Sequence, residues 1–167
     1  MPKDNQHELF YLVDDHDKVL GSVKRAIAHQ SKTIKHRSIF ILLFNHKNEV
    51  LMQKRSKIKD SFPNFWTVSV SGHVGYGQSY DEAALRELEE ELGLSLTLQK
   101  LSKIYIEEER EFAFLYRGDF SGEIPINFDK DEIKEVRWVN LSDFANFIEK
   151  NNLTPSALRV LGELKII

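Results

Sequence analysis

The chain has 167 residues, and its 23 Lys and Arg against 26 Asp and Glu give a net charge of −3. This balance lacks the basic surplus of nucleic-acid-binding or anionic-membrane-binding proteins, and the absence of cysteine excludes disulfides, thiolate metal sites and a cysteine nucleophile. A hydrophobic content of 41% and a charged content of 29% are typical of a globular protein with one well-packed domain.

The N-terminal part of the chain predicts a β-hairpin. Leu9–Val13 and Val19–Val23 are apolar segments joined by a polar turn, and residues 24–30 predict a short helix. We therefore expect residues 1–35 to form a hairpin extension of a main domain over residues 36–167, within one structural domain. No apolar run is typical of a signal peptide or long enough to span a bilayer, so we expect a cytoplasmic protein without membrane contact.

Two further strands are predicted over Ser38–Asn45 and Val50–Arg55. Lys54 and Arg55 end the second strand, and one interpretation is a solvated basic strand end. The other is a binding site for substrate phosphates, because Arg binds phosphate through two parallel hydrogen bonds. The aromatic loop Ser61–Trp66 predicts a hydrophobic plug beneath the helix that follows Ser79 or, as the alternative, a wall of a substrate pocket.

A helix with clear ends is predicted after residue 79. Ser79 lies three residues before Glu82, the spacing of a capping box, and Gly93 supplies the left-handed residue that ends many helices. The apolar residues that recur at every fourth position and predict one buried stripe are Ala84, Leu88 and Leu92.

Three glutamates of this helix, Glu87, Glu90 and Glu91, recur at i, i+3 and i+4 and so converge on another face. Like charges within one turn repel each other, which indicates that something compensates for them. A divalent cation is the simplest compensation, because Mg²⁺ prefers carboxylate oxygens and commonly bridges to substrate phosphates. The alternative for this pattern alone is a solvated acidic helix face.

The segment from Gly72 to Leu94 resembles the Nudix box, a motif with fixed spacing. Gly72 matches its opening glycine, and Gln78 stands where the box carries its first glutamate. The matching residues of the second half are Arg86, Glu87, Leu88, Glu90, Glu91, Gly93 and Leu94. Glutamine keeps an acceptor oxygen but loses the charge, so we expect Gln78 to weaken the organisation of the metal rather than to inactivate the site.

The remaining predicted strands cover Leu98–Glu107, Glu111–Arg117 and Glu132–Val139, and the last two helices cover Asp143–Lys150 and about Pro155–Leu164. Strands that alternate with helices in this way predict a mixed sheet between helices. The resemblance implies the same α/β fold, the Nudix α/β/α sandwich, with the hairpin as an extension. A loop over residues 119–131 is long enough to edge a binding site.

The resemblance also implies the chemistry of the site. Nudix enzymes hold Mg²⁺ or Mn²⁺ against a diphosphate while water attacks one phosphorus. The implied metal ligands are Glu87, Glu90, Glu91 and the carbonyl of Gly72. Arg86 would hold a carboxylate in place, although the spacing alone also allows a surface pair with Glu90. The general base is not always a box residue in this family and stays open.

The chain from Leu9 to His73 is similar to the isopentenyl-diphosphate-isomerase-like branch of the Nudix superfamily, in segments such as HRSIFILLFN and FPNFWTVSVSGH. This resemblance implies a second metal site, and the residues at the corresponding positions are His29, His36, His73, Glu107 and Glu109. Imidazole and carboxylate together suit Mn²⁺, Mg²⁺ or Zn²⁺. The alternative is a set of ordinary surface residues. His73, beside the box glycine, is the best candidate to contact substrate.

Ser71 favours a hydrolase over an isomerase. Isomerases of this branch carry an acid–base cysteine at this position, and a serine hydroxyl is no comparable acid–base group at neutral pH. We therefore expect a hydrolase that cleaves a diphosphate linkage in a nucleoside diphosphate derivative or nucleotide. The alternatives are an isopentenyl-diphosphate-isomerase-like enzyme and a non-catalytic nucleotide-binding module. The expected partner is a small diphosphate, with no nucleic acid; dimers are common among the relatives that the resemblance implies.

Overall fold

The computed structural model describes residues 4–123 and 128–167 of the chain. Its strands are β1 (Leu9–Val13), β2 (Val19–Lys24), β3 (His36–Phe44), β4 (Glu49–Arg55), β5 (Trp66–Thr67), β6 (Val70–His73), β7 (Gln99–Ile106), β8 (Glu111–Asp119) and β9 (Ile133–Asn140). Its α-helices are α1 (Arg25–Gln30), α2 (Tyr80–Leu92), α3 (Phe144–Lys150) and α4 (Pro155–Glu163), with a 3-10 turn at Leu141–Asp143. Part of the predicted loop over residues 119–131, including Pro125, lies outside the described residues.

The main sheet divides around β3 and β4. One edge of β3 pairs in parallel with β8 along its whole length, and the other edge pairs antiparallel with β6. Within the described part of the chain, β3 and β4 pair at Phe44 and Val50 alone. One edge of β4 pairs with β9 along its whole length, and the other edge pairs with β5 at Gln53 and Lys54. The two halves of the sheet therefore diverge from one end and leave a cleft between β6 and β5.

Both faces of the sheet are covered by helices. Ile39, Ile41 and Leu43 of β3 pack with the core beneath α2, whereas Phe40 and Leu42 pack with the core beneath α3 and α4. Because successive side chains of a strand point to opposite faces, a continuous apolar strand fills two cores. The predicted α/β/α sandwich with a mixed sheet is confirmed.

The aromatic loop corrects one prediction. Trp66 packs edge-on against Phe147, with ring centroids 5.2 Å apart, in the core beneath α3 and α4. It is therefore wrong that this loop as a whole plugs the space beneath the box helix, because α2 covers the opposite face of the sheet. Ser61 and Phe62 instead line the cleft, which agrees with the alternative prediction that this loop forms a wall of a pocket.

The N-terminal hairpin is present as a separate two-stranded sheet of β1 and β2. Phe10, Val23 and Ala28 form a small core between this hairpin and α1. The amide of Tyr76 donates to the carbonyl of Leu9 at 2.8 Å, so β1 also holds the segment that links β6 to α2. The division of the chain at residue 35 stays a prediction. No helix in the described ranges is long and apolar enough to cross a membrane.

Candidate active site

Helix α2 is fixed in rotation by its cap and its buried stripe. The Glu82 amide donates to Ser79 Oγ at 3.1 Å and the Ser79 amide donates to Glu82 Oε2 at 2.8 Å, which completes the predicted capping box. Gly93 ends the helix with a φ of 66°. The apolar residues of the stripe, all fully buried, are Ala84, Leu88 and Leu92. The directions of the glutamates on the other face are therefore set by the fold.

A cavity of about 570 Å³ occupies the cleft between the two halves of the sheet. Its charged lining residues are Asp4, Glu8, Arg25, Arg55, Lys59, Arg86, Glu87, Glu90, Glu91, Glu109, Glu111, Asp129 and Glu132. Carboxylates outnumber cationic groups in this set, so the cavity favours a bound cation over a free anion. All three box glutamates lie at this one cavity.

Gly72 and Glu87 approach each other so closely that a Cβ at position 72 would displace the Glu87 carboxylate. A Cβ added to Gly72 would lie 2.3 Å from Cδ of Glu87, well inside van der Waals contact. Arg86 Nη1 lies 2.9 Å from Glu87 Oε1 and 3.0 Å from Glu90 Oε2, and Nη2 donates to the His73 carbonyl at 3.2 Å. Arg86 thus makes both the carboxylate-holding contact and the i, i+4 pair with Glu90.

Glu91 is the most deeply buried of the box glutamates. Its Oε2 accepts a hydrogen bond of 2.8 Å from Gln53 Nε2, a neutral donor. Burial raises the pKa of Glu91 well above its ordinary value, and the charge of Glu87 raises it further. Burial likewise raises the pKa of Glu87 to about 7, against the opposing effect of Arg86. Buried carboxylates in this state bind either protons or a cation, and oxygen donors of this kind fit Mg²⁺ or Mn²⁺.

Gln78, which departs from the box pattern, supports the loop before α2. Its side-chain Oε1 accepts a hydrogen bond of 3.2 Å from the amide of Gly75. This contact requires an acceptor oxygen and no charge, so glutamine makes it as well as glutamate does.

A second cluster lies on the neighbouring side of the cavity. The group whose ligand atoms all lie within 4.8 Å of one another consists of His29, His36, His73 and Glu111. Glu111 Oε1 lies 2.9 Å from His73 Nε2 and 3.1 Å from His36 Nε2, and the Nε2 atoms of His29 and His73 are 3.3 Å apart. Phe10 of the hairpin stacks on His73 with ring centroids 4.5 Å apart and so forms one wall of the cluster.

The glutamates of this cluster differ from the sequence prediction. Glu111 pairs with His36 in the parallel register of β8 and β3, which brings it to the histidines. Glu107 is exposed in the turn between β7 and β8, and Glu109 lines the cavity, but neither belongs to the ligand-atom group found among the described residues. The predicted start of the strand at Glu111 is confirmed, and the turn before it reverses at Arg110, with a φ of 55°. The error lay in assigning the metal-site glutamates to Glu107 and Glu109 in the turn rather than to the first residue of β8.

The electrostatics of this cluster favour a neutral His73 beside an ionised Glu111. Burial lowers the pKa of His73 to about 3, against the effect of Glu111. Burial alone would raise the pKa of Glu111, but His73 and His36 hold it well below its ordinary value. Neutral imidazoles and a carboxylate are metal ligands, so these residues fit a divalent cation such as Mn²⁺, Mg²⁺ or Zn²⁺.

The two predicted phosphate-binding residues lie in different places. Arg55 lines the cavity, where its Nε donates to the Ser61 carbonyl at 3.0 Å. Lys54 points elsewhere, with Nζ 5.8 Å from the centroid of the Trp66 ring, because adjacent residues of a strand face opposite sides. Sequence reasoning missed Lys59, whose Nζ lies 2.6 Å from Asp4 and from Glu132, and also Arg25.

The sequence and the fold of this chain were compared with those of known proteins. The NUDIX domain family matches residues 34–161. A prenyl-diphosphate phosphatase of Methanosarcina mazei is 37% identical over 160 residues, which cover 92% of each chain. Isopentenyl-diphosphate Delta-isomerase 2 of Photorhabdus laumondii is 36% identical over 141 residues, 80% of this chain and 78% of that one. The crystal structure of DR0079 from Deinococcus radiodurans superposes with a TM-score of 0.76 at 24% identity, over 88% of this chain and 93% of that one.

Proposed function

Since this chain belongs to the Nudix family, in its isopentenyl-diphosphate-isomerase-like branch, we propose that it hydrolyses a diphosphate linkage with the help of a divalent cation. The substrate class is a nucleoside diphosphate derivative or nucleotide. The observation that carries the proposal is a pair of carboxylates, the buried Glu91 and the half-buried Glu87, which one helix holds at a cavity also lined by Arg55 and Lys59.

The proposed metal ligands are Glu87, Glu90, Glu91 and the Gly72 carbonyl. A bound Mg²⁺ or Mn²⁺ supplies charge neutralisation for the diphosphate and a lower pKa for water. Arg86 orients the carboxylates of Glu87 and Glu90 through its two short contacts. In the reaction, the water oxygen forms a bond to phosphorus, the anhydride P–O bond breaks, and its electron pair leaves on the phosphate product.

Arg55 and Lys59 are the proposed phosphate-binding groups, together with His73 at the base of the cavity. Positive charge near the departing phosphate stabilises the negative charge that develops as the anhydride bond breaks. The cluster of His29, His36, His73 and Glu111 is the proposed second metal site. Its closeness to Gly72, the residue before His73, would place both metal sites at one substrate.

A prenyl diphosphate is the second candidate substrate, because the relative from Methanosarcina mazei is a prenyl-diphosphate phosphatase. Isomerisation of such a substrate is disfavoured. Ser71 lines the cavity where isomerases of this branch carry their cysteine, and its hydroxyl is a poor acid–base group at neutral pH.

The proposal is tested by release of phosphate, pyrophosphate or nucleoside monophosphate from nucleotide sugars, dinucleotides, nucleoside di- and triphosphates and prenyl diphosphates, each with Mg²⁺ and with Mn²⁺. We expect metal-dependent release from at least one class, and no conversion of isopentenyl diphosphate to its dimethylallyl isomer. A folded protein that hydrolyses none of them would contradict the proposal. Nucleotide binding without hydrolysis, unaffected by Glu91→Gln, would favour the non-catalytic module instead.

A further inference from the structure

Hydroxyl groups of β3, β5, β6 and the start of α4 line part of the cavity. We name this set the hydroxyl wall, and its members are Ser38, Thr67, Ser71, Thr154 and Ser156. Thr154 Oγ1 lies 3.4 Å from Thr67 Oγ1 and 3.2 Å from Ser156 Oγ, so part of the wall is a connected hydrogen-bonded row. The proposed diphosphate hydrolysis gives this wall no role.

Two polar atoms at this wall are buried and lack a partner among the described residues: Ser38 Oγ and Glu109 Oε1. Ser38 is only 2% exposed, and Glu109 lies next to Ser156. A buried polar atom without a hydrogen bond costs free energy, so native proteins satisfy nearly all such atoms. Both residues line the cavity, where a ligand with hydroxyl groups would supply the missing hydrogen bonds.

The same cavity offers little apolar surface. Among its described lining residues, the large apolar side chains are Phe40 and Phe62. A hydrocarbon chain of a substrate normally lies against apolar walls. Placed against the hydroxyl wall, it would leave the buried hydroxyls and Glu109 unpaired and so bind poorly.

We propose that the hydroxyl wall and Glu109 recognise a hydroxyl-bearing group, such as the sugar of a nucleoside diphosphate, and so select it over a prenyl group. The inference rests on the proposed diphosphate hydrolysis. The hydroxyls of Ser38 and Ser156 donate to and accept from sugar hydroxyls, and the Glu109 carboxylate accepts from them. The diphosphate then extends towards Arg55, Lys59 and the box helix, which line the same cavity.

The first test compares substrates that differ only in the hydroxyls. kcat/KM is measured for the common ribonucleoside diphosphates, for their 2′,3′-dideoxy counterparts, and for isopentenyl and geranyl diphosphates. We expect the ribose forms to exceed the dideoxy and prenyl forms by about 100-fold, because a site built to hydrogen-bond a substrate hydroxyl rejects the analogue that lacks it.

The second test removes single hydroxyls from the wall. Ser38→Ala and Ser156→Ala lie in different elements, and each should reduce the ratio of ribose to dideoxy kcat/KM by about tenfold. The matched control Ser95→Ala removes an exposed hydroxyl outside the cavity and should leave the ratio unchanged. The ratio does not depend on the fraction of active protein, so partial loss of folding cannot imitate the effect.

The outcomes separate this inference from the proposal on which it rests. Efficient hydrolysis of prenyl diphosphates with no advantage for the ribose forms would overturn the inference and leave diphosphate hydrolysis intact. A ratio that Ser38→Ala and Ser156→Ala both leave unchanged would also overturn it. Hydrolysis of no diphosphate at all would overturn the proposed function, and the inference with it.

Discussion

Two buried carboxylates, Asp17 and Glu91, have opposite surroundings. Asp17, in the hairpin turn, accepts from Arg37 Nε at 2.6 Å, from Lys103 Nζ at 2.8 Å and from the Tyr80 hydroxyl at 2.9 Å. Glu91 accepts a hydrogen bond from the neutral Gln53 amide. Among the charged groups around it, Glu87 has the largest effect on its pKa, and this like charge raises it. One carboxylate has its cations built into the fold, and the other does not.

The contrast separates a structural carboxylate, Asp17, from the proposed metal ligand Glu91. A buried charge is tolerated when it is paired and hydrogen-bonded, and Asp17 meets that condition with side chains of three elements. Through Tyr80, the first residue of α2, it joins the hairpin to the box helix. Glu91 lacks such partners, so its carboxyl group binds either a proton or a cation, as the proposed metal ligand would. Both residues are buried, so burial alone does not tell them apart.

The largest expected effect is on catalysis, from Glu91→Gln. Removal of a metal-binding charge should lower kcat by about 10²–10³-fold, because stabilisation of charge in the transition state is lost. The stability of the metal-free protein should change little, because burial already favours the protonated, neutral form of Glu91. The measurements are phosphate release with Mg²⁺ and urea unfolding. Glu89→Gln, on the exposed face of the same helix, is the matched control, and equal losses in both variants would contradict the assignment.

The second prediction concerns Asp17→Asn, which should lower stability, whereas Glu91→Gln should lower activity. The change leaves Arg37 and Lys103 without their buried counter-charge, so the free energy of unfolding should fall by about 3 kcal/mol. Asparagine tolerates the positive φ of this position, so the loss reports on charge and not on backbone strain. Urea unfolding measures it, with Asp15→Asn in the same turn as an exposed control. A loss of catalysis without a loss of stability would remove the contrast with Glu91.

The third prediction is the pH dependence of stability in the metal-free protein. Glu87 keeps its proton up to a pKa of about 7 in the native state, against an ordinary value of 4.5. The native state therefore binds more protons than the unfolded state between these values, and the free energy of unfolding should fall as pH rises through this window, by about 2 to 3 kcal/mol for one such group.

Divalent cations should reverse this fall, because they bind the ionised carboxylates. Thermal unfolding at pH 5, 6 and 7, with and without Mg²⁺ or Mn²⁺, measures both effects. Glu87→Gln should flatten the dependence. A stability that rises with pH across this window in the absence of metal would show that burial of Glu87 does not govern the site.

The smallest expected effect comes from Gly72→Ala. The added Cβ would overlap the end of the Glu87 side chain, which is flexible and can move aside, so stability should change little. The displaced carboxylate should weaken Mn²⁺ binding by about tenfold, as loss of ligand orientation typically does. Titration calorimetry with Mn²⁺ tests this. Gly162→Ala, where an added Cβ meets nothing within 4 Å, is the control and should leave the affinity unchanged.

Sequence reasoning succeeded where the signal was local. The capping box of Ser79 and Glu82, the left-handed Gly93 and the buried stripe depend on contacts between residues at most four apart, so fixed spacing predicted α2 and the directions of its glutamates. Strand alternation could have separated Lys54 from Arg55, since neighbours on a strand face opposite sides, although the sequence gives no sign of which side holds the cavity.

The complete histidine cluster could not be predicted from local patterns. His29, His36 and His73 were predicted together from a resemblance, but the glutamate that joins them depends on the length of the turn after β7. A shift of one residue sends a strand side chain to the opposite face, and a shift of two moves it about 7 Å along the strand. Glu111, rather than Glu107 or Glu109, is selected by the parallel pairing of β8 with β3.

The sequence by itself determined the box helix, the kind of fold and the carboxylate-rich character of the site, because periodicity and motif spacing act within single elements. Tertiary structure alone decided that Asp17 is neutralised while Glu91 is not, that Glu111 joins the histidines, and that hydroxyl groups line the far wall of the cavity. These outcomes depend on which side chains, distant in sequence, come into contact in the low-dielectric interior. There, a single hydrogen-bond donor can decide whether a carboxyl group is ionised.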